Sequence, residues 1–433
     1  MELVYPVIVV PGITATYLRD EYPLPPDYVW QVLRKNYDRV ALHPNNLRYE
    51  AREPARVMPG QVFGIAYEEL IEELRYNLRS KEDKHVPVFP FGYDWRMPLV
   101  STEAQLDEFI NEVIERTKLL KHYHEEGYSD NPKVNLVGHS MGGLVITGYL
   151  QKKKKKAPVH KVVTLATPYQ GSFEAVIKIT TGTANLGDES SSSRERETAR
   201  ITPALYHLLP SFENGISIDP GLPQSLKLFD PEAWQSSVTD SIAEFIRLKG
   251  ITPENEIQNG AKKIFAGMLE YARKHRQRID SFTLSDAGLS NKDWLAVVGV
   301  DAKTRTHLQI VALDGKPEFK LNSDDRKNEW ENKVVSQRIF TGDGTVPYEG
   351  AIPTFLEEKN LVCVTPDDFG YWEIKDKALT KVAGFHGIIP NMNMLHRLIV
   401  RFFKNAPDPR GNTWGRPAPG GKDWDPPLEL KKS

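Results

Sequence analysis

Three residues in this chain have the types and the chain order that acyl transfer requires: Ser140, Asp343 and His386. A serine hydroxyl is a weak nucleophile until a base takes its proton and a third group orients that base. Ser140 stands in Gly138-His-Ser-Met-Gly142, a G-x-S-x-G pattern. That pattern alone is weak, because a turn serine between glycines arises by chance. Its context makes it specific: Val134, Leu136 and Val137 read as a buried strand, and Leu144, Val145, Ile146 and Leu150 follow at helical spacing. Strand, sharp turn and helix form a nucleophile elbow, with small residues flanking the serine and a helix N-terminus aimed at the site.

The base must come from elsewhere. Of the eleven histidines, only His386 and His396 follow the candidate acid. His396 lies inside an apolar helical pattern and reads as a packed or capping residue. His386 is flanked by glycines in Gly384-Phe-His-Gly387, a loop expected after the last strand. Asp343, in Gly342-Asp-Gly344, is the expected orienter; a plain turn aspartate is the competing reading, and Asp367 and Asp368 are the fallback acids. Backbone N–H groups of Ile13, after the strand that ends at Pro11-Gly12, and of Met141 are the expected oxyanion donors.

The elements that must position these residues alternate along the chain. Strands are expected at Val7–Val10, Val86–Phe91, Val134–Val137 and Val162–Ala166, with helices at Tyr67–Ser80 and from Thr102 onward, where Thr102 and Gln105 resemble a capping box. Such alternation indicates a parallel α/β sheet. It stops after residue 172. Residues 185–200 are polar and serine-rich and are expected to be mobile; 236–282 read as two helices. Strands return at Trp294–Val300, His307–Leu313, Arg338–Thr341 and Leu361–Thr365, and Asn391–Phe403 reads as the closing helix. The organisation expected is a first core segment (1–172), a cap or lid insertion (173–292), a second core segment (293–405) and a flexible tail (406–433). Leu205, Tyr206, Leu208 and Leu209 fall in the insertion, where they line an acyl channel or pack the cap's own small core.

Bulk composition excludes other classes. A formal net charge of −2 gives no basic field for nucleic acid. The single cysteine, Cys363, lies in an apolar run and allows no disulfide framework, which points to a reducing compartment. Residues 3–10 are apolar but lack the basic flank of a signal peptide, and no stretch reaches the length of a transmembrane helix. The expected location is cytoplasmic, with at most peripheral membrane contact. Lys152–Lys156 reads as a solvated helix end or, less often, a patch for anionic lipid. No cofactor or metal site is expected, and the oligomeric state is not legible.

Several segments resemble the lecithin:cholesterol acyltransferase-like family of α/β-hydrolases, which includes phospholipid:diacylglycerol acyltransferases and related phospholipases. They are Val7–Ile13, Gly92-Tyr-Asp-Trp-Arg96, Gly138–Gly143, Ala166-Thr-Pro-Tyr-Gln-Gly-Ser172, Leu208–Ser211, Gly342-Asp-Gly-Thr-Val-Pro347 and Phe385–Ile388, in the family's order. The resemblance implies an α/β-hydrolase fold: a mostly parallel sheet with helices on both faces and a largely helical cap or lid. It implies Ser140 as nucleophile, Asp343 as acid, His386 as base, Ile13 and Met141 in the oxyanion hole, and a substrate-side role for Trp30 and the 173–211 region. The expected function is a serine acyl-ester enzyme of lipid metabolism, acting by hydrolysis or by transfer to an alcohol on an acyl-ester lipid. A short-chain esterase, thioesterase or peptidase of the same fold, or a non-catalytic scaffold that binds a ligand or protein, are the alternatives. Unlike secreted animal members, the sequence is expected to carry no leader and no lid disulfide, and no stretch of it reads as the membrane helix of the diacylglycerol-acylating members. Asp94 and Arg96 are expected to form a buried structural ion pair.

Overall fold

The computed structural model describes residues 3–32, 37–182, 193–321, 326–327, 341–370, 373, 384–418 and 423–432. Its centre is a six-stranded sheet. The strands are β1 (Val7–Val10), β2 (Val88–Pro90), β3 (Val134–His139), β4 (Val159–Leu165), β5 (Trp294–Gly299) and β6 (Val362–Val364). Their spatial order is β6-β5-β4-β3-β1-β2, and every neighbouring pair is parallel. In register, Ile8 lies beside Leu136 and Leu136 beside Val162.

The strands read as continuous apolar runs because both faces are covered. Alternate side chains point to opposite faces. Val7, Val9, Val137, Val163 and Val297 face helix α1 (Gly64–Leu78) and a late helix, Asn393–Lys404. Ile8, Val10, Leu136, Val162 and Val298 face α2 (Leu99–Lys118) and α3 (Met141–Lys153). The expected parallel sheet with helices on both faces is therefore observed. One helix start differs. Thr102 does not cap α2: the helix begins at Leu99 after Pro98, and Thr102 is buried within it. Pro98 sets the boundary, since a proline has no N–H to give the helix ladder and fixes its own φ.

After β4 the chain forms α4 (Phe173–Thr181), then a helix at Ser193–Arg200; the rest of the polar 185–200 stretch lies outside the described residues. The outer helices α5 (Pro203–Tyr206), α6 (Ser236–Lys249) and α7 (Ile257–Asp280) follow. Ile216–Ile218 pairs parallel with Leu308–Leu313, which pairs with Lys316–Lys320, so the predicted strand near 307–313 joins a small side sheet, not the central one. The predicted strand at 338–341 lies outside the described residues, except for Thr341. α8 (Asn393–Lys404) closes the fold.

The Trp- and Pro-rich tail, read as poorly ordered, is placed along edge strand β6. The Cys363 N–H donates to the Arg416 carbonyl at 2.9 Å, and Trp424 Nε1 donates to the Leu361 carbonyl at 2.8 Å. A sheet edge offers unpaired N–H and C=O groups, and these segments satisfy them. Burial pushes the Cys363 thiol up to about 12, so it is a core residue with little thiolate. Lys154–Lys156 forms an exposed turn at the end of α3. Among the described residues, no helix is long and apolar enough to cross a membrane.

Candidate active site

Ser140 sits between β3 and α3 with φ 53° and ψ −128°. A non-glycine residue at positive φ is strained, and it persists only where its surroundings force it. Here they do. A Cβ on Gly142 would stand 2.1 Å from the Val10 carbonyl oxygen, and one on Gly138 would stand 2.8 Å from the Gly143 nitrogen. The turn closes only with glycine on both sides, which is the physical content of the G-x-S-x-G pattern. The Ser140 N–H donates to the Leu165 carbonyl at 2.9 Å and the Gly143 N–H to the Ser140 carbonyl at 3.0 Å, fixing the hydroxyl at the carboxyl end of the sheet.

The residues brought together are those expected. Ser140 Oγ lies 2.9 Å from His386 Nε2, and His386 Nδ1 lies 2.6 Å from Asp343 Oδ2. The Asp343 side chain is 1% exposed and that of His386 12% exposed, so the acid is dry while the base reaches the site. Asp343 is held in a turn: its Oδ1 accepts the N–H groups of Thr345 at 2.9 Å and Val346 at 2.7 Å, and its carbonyl accepts the His386 N–H at 3.0 Å. Gly344, at φ +93°, lets that turn form, and its N–H donates to Thr304 Oγ1 at 2.8 Å. The carboxylate lies over the end of β5, where a Cβ on Gly299 would come within 2.6 Å of Asp343 Cβ. His386 lies in a helical turn over 384–388 rather than in the open loop expected, and Phe385 anchors that turn in the apolar core.

The fallback acids are elsewhere. Asp368 accepts the Thr365 N–H at 2.7 Å, closes a short capped turn and pairs with Arg416; Asp367 belongs to the same turn. His396 is buried in α8, with Nε2 2.6 Å from the Pro390 carbonyl. Arg96 is buried against Asp94 and Glu50 at 2.7 and 2.9 Å, the structural ion pair expected.

A cavity of about 190 Å³ opens on Ser140 and His386. Its apolar walls include Trp30, Phe63, Leu205, Leu208 and Val346, and Ile13 lies beside the serine. Leu209, expected at the substrate with Leu205, does not line it: Leu209 is fully buried beneath, and its carbonyl accepts from Arg276 at 3.3 Å. The reason is helical spacing. The Leu208 N–H donates to the Leu205 carbonyl at 3.1 Å, so these two, three apart, share a face that Leu209 does not.

Sequence reasoning missed the residues that hold the turn at 11–15. Trp30 Nε1 donates to the Thr14 carbonyl at 2.8 Å, Tyr93 Oη donates to the Pro11 carbonyl at 2.8 Å, and the Gly12 N–H donates to Tyr67 Oη at 2.9 Å. Thr14 is itself at φ 64°. Tyr67 and Tyr93 are nearly inaccessible to solvent, and nothing in the sequence assigns either to the site.

The structure thus sets a serine hydroxyl beside an imidazole that a buried carboxylate holds, at the mouth of an apolar cavity, an arrangement able to support acyl transfer. Residues 64–252 match the family model described as lecithin:cholesterol acyltransferase. Asp343 and His386 lie beyond that match. A solved structure titled as the crystal structure of the Tle4-Tli4 complex is similar at a TM-score of 0.56 and 14% identity, over 94% of this chain and all of that one, a likeness of fold. The lin2722 gene products of Listeria innocua align at a TM-score of 0.20 and 12% identity, over 66% of this chain and 97% of that one. No curated protein matches the sequence. The family match supports an enzyme that hydrolyses or transfers acyl esters. The sheet is that of an α/β-hydrolase, and over residues 64–252 the chain is similar to the lecithin:cholesterol acyltransferase family.

Proposed function

We propose that this chain acts on lipid acyl esters through a covalent acyl-enzyme on Ser140. The observation that carries the proposal is the line from Ser140 Oγ through His386 to Asp343, at 2.9 and 2.6 Å, opening on an apolar cavity. His386 Nε2 takes the hydroxyl proton as Oγ attacks the ester carbonyl carbon. Asp343 accepts the Nδ1–H, fixes the tautomer and stabilises the imidazolium. The tetrahedral oxyanion takes hydrogen bonds from the Ile13 and Met141 N–H groups. The Gly12 N–H is already directed at Tyr67, which is why the donor from this turn is assigned to Ile13. Each such donor is worth about 3–4 kcal/mol in comparable sites.

Collapse of the intermediate breaks the ester C–O bond, and the leaving alcohol takes the proton from His386. Water or a second alcohol then gives its proton to His386 and attacks the acyl carbonyl. The second collapse releases the acid or new ester and returns the proton to Ser140. At about 190 Å³ the cavity is smaller than the ~300–1,000 Å³ of sites that enclose a whole drug-sized ligand, so one acyl chain enters while the rest of the lipid stays outside.

Each methylene buried contributes about 0.8 kcal/mol, close to fourfold in kcat/KM. The test is kcat/KM across a chain-length series of para-nitrophenyl esters and phospholipids, with and without an alcohol acceptor. The expected result is a rise with chain length until the cavity is full, and turnover of phospholipid. A maximum at about two to four carbons with no phospholipid turnover would make the enzyme a short-chain esterase.

A further inference from the structure

We infer that Tyr67 and His139 form a buried link that positions the oxyanion turn and the base segment relative to each other, across the back of the nucleophile. The inference rests on the catalytic reading of Ser140 and His386. Its members come from three distant parts of the chain. The Gly12 N–H donates to Tyr67 Oη at 2.9 Å, Tyr67 Oη lies 2.7 Å from His139 Nδ1, and His139 Nε2 lies 2.9 Å from the His386 carbonyl oxygen.

The hydrogen-bond directions follow from what each group can do. A backbone N–H only donates, so Tyr67 Oη accepts there and has its own proton to give. A carbonyl oxygen only accepts, so His139 must carry its proton on Nε2. Nδ1 is then the acceptor for the Tyr67 hydroxyl. The chain runs one way, from Gly12 to His386, with every member paired. Burial and the neighbouring His386 push the His139 pKa well down, which keeps the ring in the neutral form this pattern requires. Tyr67 and His139 are 1% and 4% exposed, so water does not replace either partner.

The link touches both halves of the reaction. Gly12 precedes Ile13, and a Cβ on Gly12 would stand 3.0 Å from Ser140 Cβ, so the turn has no room to drift inward. His139 precedes Ser140 in the elbow, and its ring centroid lies 5.0 Å from that of His386. A shift of the Tyr67 hydroxyl frees the Gly12 N–H and with it the Ile13 donor. A loss of the His139 Nε2–H frees the backbone that carries the base. Tyr67 also borders the cavity, but its hydroxyl is spent on the link, so it is a positioning residue and not a catalytic one.

The experiment compares Tyr67→Phe, His139→Gln and the double variant with the wild type. It measures kcat and KM on one ester, the rate of Ser140 labelling by a fluorophosphonate, and the melting midpoint. Tyr67→Phe removes one oxygen and keeps the ring, so it tests the link even if His139→Gln fails to fold. The expected result for Tyr67→Phe is a fall in kcat and labelling rate of about ten- to a hundredfold, less than the ~10²–10³ of an oxyanion donor removed outright because the Ile13 N–H is displaced and not lost, with KM within about twofold. The double variant should lose little more than the worse single one, because both break the same chain. A kcat within about twofold of wild type in Tyr67→Phe, or a loss confined to KM and the melting midpoint, overturns the link. Absence of labelling in the wild type would instead strike the catalytic reading itself.

Discussion

The central sheet and the outer helices are held together by different physics. Around Ser140 the sheet packs mainly on apolar side chains: Ile8, Leu136, Val137 and Val163 are fully buried, although β3 and β4 also bury Asn135, His139, Lys161 and Thr164. The outer layer shares that apolar core and adds to it a buried polar cluster. Glu103 on α2, with no exposed side-chain surface, accepts from His275 Nε2 at 2.8 Å and Arg278 at 2.5 Å, both on α7. Arg276, on the same helix and also buried, donates to the carbonyls of His207 and Leu209 at 3.0 and 3.3 Å. His207 packs edge-on against His275 with ring centroids 4.6 Å apart, and among the described residues neither of its ring nitrogens has a hydrogen-bond partner. The segment that lines the cavity, Leu205 and Leu208, is thus tied down by charge and hydrogen bonds, while Ser140 stands on a sheet packed mainly by apolar contacts, with the neutral Tyr67–His139 pair behind it. Apolar contacts do not titrate; the cluster does, and on the sheet side so does His139. The reacting groups and the cavity wall should therefore respond differently to the same perturbation.

The largest effect belongs to the sheet side and is catalytic. Ser140→Ala should abolish turnover and Asp343→Asn should lower kcat by about 10⁴, both with little change in melting midpoint. An Asp343→Asn enzyme near wild type, with Asp368→Asn inactive, would move the acid to the wrong turn. Next comes the anchor. Glu103→Ala leaves His275 and Arg278 facing a dry gap and should cost about 3–5 kcal/mol in denaturant unfolding, as loss of one partner from a buried ion pair does. Leu136→Ala in the sheet should cost a comparable ~2–5 kcal/mol, but by the same amount at every pH. If the two variants show the same pH dependence, the contrast between the regions fails.

Acid should weaken the wild type. Burial lowers the pKa of His139, His207, His275 and His396, helped at His207 and His275 by the neighbouring arginines. Below about pH 6.5 the unfolded chain takes up protons that these folded rings do not, so stability falls with acidification, by at most ~1.4 kcal/mol per pH unit per histidine. Glu103 opposes this at lower pH, because burial raises its pKa and the folded state then binds the proton more readily. His207→Phe should flatten the acid slope of unfolding free energy by roughly one histidine's share, and an unchanged slope would remove His207 from the account. The smallest effect is on specificity. Leu208→Ala should lower kcat/KM for long-chain esters by about tenfold and leave acetyl esters nearly unchanged; an equal loss on both would show that Leu208 packs the fold and does not meet the chain.

Legibility in the sequence follows the same division. The sheet and the elbow announce themselves locally, through apolar runs of strand length and glycines whose positions the turn dictates. Ser140, Asp343 and His386 could be ordered along the chain because each follows an expected strand. The anchor could not be read, since Glu103 and His275 are 172 residues apart and each looks like a surface residue of an amphipathic helix. The Tyr67–His139 pair hid for the same reason: Tyr67 scans as the apolar face of α1 and His139 as the variable position of the elbow motif. Leu209 was misplaced because a list of leucines carries no face until the short α5 turn fixes one. Thr102 was misread as a cap because Pro98 sets the helix start three residues earlier.

The central claim is that Ser140 is the nucleophile. The direct measurement is reaction of the whole chain with a fluorophosphonate, read by intact mass and by mapping the modified peptide. One adduct per chain on Ser140 is predicted, absent in Ser140→Ala and strongly slowed in His386→Ala. Labelling of a different serine, or labelling and turnover that persist in Ser140→Ala, would contradict the account.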